Sequence, residues 1–131
     1  NLDEAELARV ARRLQERVFA ADAFVFQRGE RADGMYFIAS GAVEIPIGED
    51  RLRLGRGDFF GEMALLDQTR RSATVRSISY SHLLFLPRAA FHEIGEFLPQ
   101  WRSKLAEVAR DRRAMNERAA DDAGKPEGQD S

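Results

Sequence analysis

The chain has 131 residues, 44% of them hydrophobic, which suits a single domain with an ordinary core. A net charge of −2 gives no electrostatic reason to expect nucleic acid as a partner, and the lack of cysteine excludes disulfides, thiolate catalysis and cysteine-based metal sites. No apolar run approaches the ~20 residues that span a bilayer and no signal peptide is visible, so this stretch of chain is expected to be soluble.

At the start, Asp3 and Glu6 have the spacing of a helix N-cap pair, and Glu4 adds charge that suits a helix N-terminus. Leu7, Val10, Leu14 and Val18 then recur at three- and four-residue steps, which predicts one apolar helical face. Arg9, Arg12, Arg13 and Arg17 fall elsewhere and read as a solvated face. Such a helix is also a natural attachment point for an upstream segment. The chain begins at Asn1 rather than Met, and it reads as a module of a longer protein.

From Phe24 to Phe85 the period changes. Seven of the ten glycines fall between Gly29 and Gly61 and cut the chain into short pieces. Val43, Ile45 and Ile47 alternate with Glu44 and Pro46, and Leu52 and Leu54 alternate with Arg51 and Arg53, the period of half-buried strands. Phe24 to Phe26 and Met35 to Ile38 are denser apolar runs, suited to the middle of a sandwiched sheet. Pro46 suggests an edge or bulge. His82 to Leu86 reads as the last strand. Together these predict a mainly β, α+β fold: an antiparallel jelly roll or β-roll of about eight short strands flanked by helices.

The stretch from Gly57 to Val75, GDFFGEMALLDQTRRSATV, carries the chemistry. Glu62 to Leu66 are formers of a short helical turn that begins at Gly61, where backbone N–H groups lack partners, as an anion site requires. Arg71 follows ten residues after Gly61, flanked by the small residues Ser72 and Ala73. Its guanidinium is a planar fork matched to two phosphate oxygens. A carboxylate at Glu62 would repel a phosphate unless it faces a sugar hydroxyl, a known device in nucleotide sites. The stretch therefore asks for one compact ligand with both a phosphate and a ribose. The plainer reading is a solvated turn with a surface arginine, since eighteen of the twenty basic residues are Arg.

A jelly roll also raises a metalloenzyme of the cupin type, which needs several converging histidines. His82 and His92 are the two histidines, one on the last strand and one on the following helix, so no metal site is expected. G-x-S-x-G is absent, and no enzyme is expected either.

After Pro87 the pattern is helical again. Ala90, Phe91, Ile94, Phe97 and Leu98 form an amphipathic face that Pro99 interrupts. A final helix carries Trp101, Leu105, Val108, Arg112 and Met115 on one stripe, so Arg112 puts a charge where an apolar residue belongs. The alternative is that Arg112 snorkels beside Arg113 at a frayed helix end. Residues 1–118 form the predicted domain, and 119–131 the predicted disordered acidic tail.

FGEMALL followed by RSATV resembles the phosphate-binding cassette of cyclic-nucleotide-binding domains, with Arg70 where many relatives carry Pro. With the helix, roll and two C-terminal helices, residues 2–118 look most like the C-terminal domain of bacterial cyclic-nucleotide-gated potassium channels. The resemblance implies a regulatory module that binds cAMP, with cGMP weaker, and passes movement of the last helix to an upstream transmembrane or effector part. It further implies that Ile45 and Leu52 line the base and ribose side. Gly61, Glu62, Met63 and Ala64 would supply backbone donors, with Glu62 on the ribose. Arg71, Ser72 and Ala73 would hold the phosphate, and Arg112 would cap the base as a lid. It places the module at the cytoplasmic face of a membrane. The fragment is expected to be monomeric and the full-length protein homo-oligomeric. The alternative is the sensing domain of a transcription regulator or a kinase. The acidic tail, in place of a helix-turn-helix, argues against DNA binding.

Overall fold

The computed structural model describes residues 4–123. The expected N-cap residue Asp3 lies outside them, as do the side chains of Leu7 and Met115. In chain order come α1 (Glu4–Arg13), β1 (Gln15–Phe19), β2 (Phe24–Phe26), β3 (Gly34–Ser40), β4 (Ala42–Ile47) and β5 (Asp50–Gly55). They are followed by β6 (Phe59–Phe60), α2 (Glu62–Asp67), β7 (Val75–Ser77), β8 (Ser81–Pro87), α3 (Arg88–Phe97) and α4 (Pro99–Ala123). The strands form two four-stranded antiparallel sheets, ordered β1-β8-β3-β6 and β2-β7-β4-β5.

Strand periodicity divides the apolar residues between two packing layers. On β3, Tyr36 and Ile38 point between the sheets, where they join Val43, Phe60, Val75 and Phe85. Met35 and Phe37, the alternate positions, face the helices and pack with Leu65, Leu86, Phe91 and Leu105. Tyr36 and Phe60 stack, with centroids 5.2 Å apart. Gly34 opens β3 where a Cβ would lie 2.3 Å from the Leu86 carbonyl oxygen, so no larger residue fits. Pro87 caps α3, and Pro99 opens α4 with a fixed φ and no N–H to leave unpaired.

Three expectations from the sequence need correction. Val18 does not continue the first helical face: α1 ends at Arg13, and Val18 lies on β1, paired with His82 and 43% exposed. Over one turn the Leu14 to Val18 spacing fits helix or strand, and pairing with β8 decides it. Arg17 is likewise no solvated helix residue, because its Nη1 donates to the Tyr36 hydroxyl at 2.9 Å and its guanidinium lies 3.6 Å from the Phe85 ring centroid. Pro46 sits on an inner strand, yet β7 pairs with β4 only at Val43 and Glu44, so one side of Pro46 is free of ladder bonds. α4 itself runs through Ala123, past the expected domain boundary at residue 118. Ala119, Ala120 and Ala123 are the strongest helix formers and carry α4 onward. Residues 124–131 lie outside the described residues.

Candidate ligand-binding site

The segment from β6 to β7 crosses from one sheet to the other, and α2 fills the crossing. Gly61 starts it with φ +89°, a conformation that costs a non-glycine residue energy. A Cβ there would also lie 2.9 Å from Arg71 Nη1. At the far end Gln68, also left-handed, returns its backbone N–H to the Ala64 carbonyl and ends the helix.

Arg71 is fixed along its whole length. Its backbone N–H donates to the Glu30 carbonyl at 2.9 Å, and its carbonyl accepts from the Gly29 N–H at 2.8 Å. The guanidinium is 3% exposed, donates from Nη1 to the Gly61 carbonyl (3.0 Å) and from Nη2 to the Gly34 carbonyl (2.7 Å), and lies 4.0 Å from the Phe26 ring centroid. A weaker contact runs from Nη2 to Asp33 Oδ1 at 3.3 Å. Burial pulls its pKa down, the charge and hydrogen bond of Asp33 push back, and arginine remains a cation.

Glu62 is fully buried, and its Oε1 accepts from Arg112 Nη1. Burial pushes its pKa up, although the Arg112 charge, the backbone N–H groups of Glu62 and Met63, and Arg71 all pull it down. Arg112 Nη2 donates to the Phe59 carbonyl at 2.7 Å. Its neighbour Arg113 binds both Asp67 oxygens, at 2.8 and 2.9 Å. Two adjacent arginines of α4 thus hold the first and last residues of α2. Arg112 is therefore not a snorkelling surface residue. A buried carboxylate needs a counter-charge, and Arg112 provides it.

These groups surround a cavity of about 510 Å³, measured out to its open mouth. All ten candidate residues line it: Ile45 and Leu52 from β4 and β5, Gly61 to Ala64, Arg71 to Ala73, and Arg112 from α4. Phe26, Ile47, Phe60 and Val75 line it as well. Ile47 shares the strand period of Ile45 and was legible on that ground. Phe26, Phe60 and Val75 read as plain core. Two buried polar atoms in this lining have no hydrogen-bond partner, Glu62 Oε2 and Arg71 Nε. Each costs folding energy and calls for an explanation. The cavity thus offers a cationic donor, a carboxylate acceptor and an apolar wall. Among the described residues no cluster could hold a metal ion.

The family model described as cyclic nucleotide-binding domain matches residues 16–96. A cyclic nucleotide-gated potassium channel of Rhizobium etli is 35% identical over 112 residues, covering 86% of this chain and 32% of the channel. A hyperpolarization-activated cyclic nucleotide-gated channel of Mus musculus is 33% identical over 113 residues, covering 86% of this chain and 13% of that protein. Among solved structures, the catabolite activator protein of Thermus thermophilus superposes with a TM-score of 0.77 at 28% identity, over 92% of this chain and 60% of that one. The chain belongs to the cyclic nucleotide-binding domain family, a ligand-binding regulatory class and not an enzyme class. It spans 29–32% of the length of the bacterial channels it resembles. No helix among its described residues is long and apolar enough to cross a membrane.

Proposed function

We propose that the cavity binds a 3′,5′-cyclic nucleotide, cAMP in preference to cGMP, and that α4 acts as its lid. The observation that carries this reading is the pair of buried, unpartnered atoms. A cyclic phosphate accepts from Arg71 Nε, a ribose 2′-hydroxyl donates to Glu62 Oε2, and both belong to one ligand. Backbone N–H groups from Gly61 to Ala64, with Ser72 and Ala73, complete the phosphate side. Ile45 and Leu52 face the base and ribose, and Arg112 supplies the lid contact to the purine.

Ser72 is the polar lining residue that distinguishes the bases, as a weak donor or acceptor beside the phosphate. One neutral hydrogen bond is worth about 1 kcal/mol, so the preference for cAMP is about tenfold at most. Competition between cAMP and cGMP for the same protein tests this, and a cGMP preference would reverse it.

The lid would act on a channel or other transporter domain upstream, at the cytoplasmic face of a membrane and within a homo-oligomer. The gated channels among the relatives support this reading. So does the packing of α1, whose Val10 joins Leu98, Trp101 and Leu105 in one cluster. Arg9 lies 3.8 Å from the Phe97 ring centroid and Arg13 pairs with Glu93, which ties α1 to α3. Movement of α4 thereby has a packed route to the N-terminal end.

A further inference from the structure

Arg113 ties α4 to α2 at a point outside the cavity. Its Nη1 donates to both Asp67 carboxylate oxygens, at 2.8 and 2.9 Å, and each side chain is 36% exposed. Neither residue lines the cavity, whereas Glu62 and Arg112 both do. Successive residues of an α-helix lie about 100° apart around its axis, so the two guanidinium groups leave α4 in different directions and here meet the two ends of α2. Asp67 is held in place by the end of that helix, where the Gln68 and Thr69 N–H groups both return to the Ala64 carbonyl. A carboxylate is unfavourable at a helix C-terminus, and α2 has no basic residue in its last turn. Arg113 brings that cation from α4.

We infer that Arg113 is a positioning residue for the lid: its pair with Asp67 holds α4 on α2 whether or not the cavity is filled, and so sets the docked fraction from which ligand starts. This rests on the reading of α4 as a lid. The Glu62 to Arg112 pair does not fill this role, because it includes the carboxylate that the ribose is proposed to contact. The Arg113 to Asp67 pair is removed from every proposed ligand contact. It is also half open to water, so its effect on docking is modest.

Arg113→Gln and Asp67→Asn each remove one charge with little change of shape. Without ligand and at low salt, each should lower the hydrogen-exchange protection of α4 amides from Leu105 to Ala114 by about two- to fivefold. The double variant should lose no more than either single one, and Asp67→Glu should keep the parent's protection. Rising salt should bring the parent down toward Arg113→Gln. The factor by which cAMP adds protection should be the same in Arg113→Gln as in the parent. Parent-like protection in ligand-free Arg113→Gln, or losses that add in the double variant, overturns the role of Arg113. A cAMP-induced factor that shrinks in Arg113→Gln overturns its independence of the ligand. A parent whose α4 does not respond to cAMP overturns the lid reading beneath, while the ligand-free comparison still decides whether Arg113 holds α4 through Asp67.

Discussion

Arg112 of α4 donates through Nη1 to the fully buried carboxylate of Glu62, the first residue of α2, and through Nη2 to the Phe59 carbonyl just before it. The long C-terminal helix is therefore tied to the cassette at the same carboxylate that the ribose is proposed to contact. Ligand can bias α4 only through contacts that differ between its docked and undocked states. Under the proposed lid reading, the Glu62 to Arg112 pair is where that difference would arise.

Arg112→Ala should weaken cAMP binding less than Arg71→Ala does, while removing most of the protection that cAMP gives to α4 amides. Hydrogen exchange across Leu105 to Ala114 is the measurement. Equal cAMP-induced protection in variant and parent would show that α4 responds to ligand without Arg112. The coupling at stake is about 1–3 kcal/mol.

Glu62 should give the domain a distinctive pH response. Burial raises its pKa above the ordinary 4.5, so the folded chain holds this proton more tightly than the unfolded chain does. Its contribution to stability is complete below pH 4.5 and is lost as pH rises through the raised value. Glu62→Gln cannot titrate. The stability of the variant minus that of the parent, from urea unfolding, should increase between about pH 4 and pH 7. A difference that is flat or falls across this range would show that Arg112 outweighs burial.

How much of this was legible in the sequence depends on the range of the interactions involved. The alternation of Val43, Ile45 and Ile47, the Gly61 to Arg71 spacing and the prolines at 87 and 99 are local signals, and each led to the element observed. Val18 and Arg17 were misread because their assignment is made by β8, more than sixty residues away. Arg112 was visible as a charge on an apolar stripe, but its partner was not. A purine and a buried carboxylate both suit a guanidinium, and only the packing of α4 on α2 brings Glu62 within its reach.

Gly61 offers a test of the cradle around the phosphate arm. Gly61→Ala forces a Cβ into a left-handed φ of +89° and against Arg71 Nη1. The strain should cost about 1–3 kcal/mol in denaturant unfolding and lower cAMP affinity as Arg71 shifts. Gly57→Ala has a similar φ of +90° but nothing within 4 Å of the added Cβ. It should lose stability to a comparable extent with little change in affinity. Equal losses of affinity in the two variants would separate the cradle from the binding site.

The most direct test compares the two neighbouring arginines. Arg71 is 3% exposed and lines the cavity, whereas Arg70 is exposed and donates to the Gly29 carbonyl. A charge-assisted contact is worth about 1.5–3 kcal/mol, so Arg71→Ala should weaken cAMP binding by about ten- to a hundredfold or more. Arg70→Ala should change it little. Titration calorimetry on chains shown to be folded by circular dichroism decides the matter. Loss of affinity confined to Arg71→Ala is the expected result, and a folded Arg71→Ala chain that binds cAMP as tightly as the parent would contradict the assignment of this cavity.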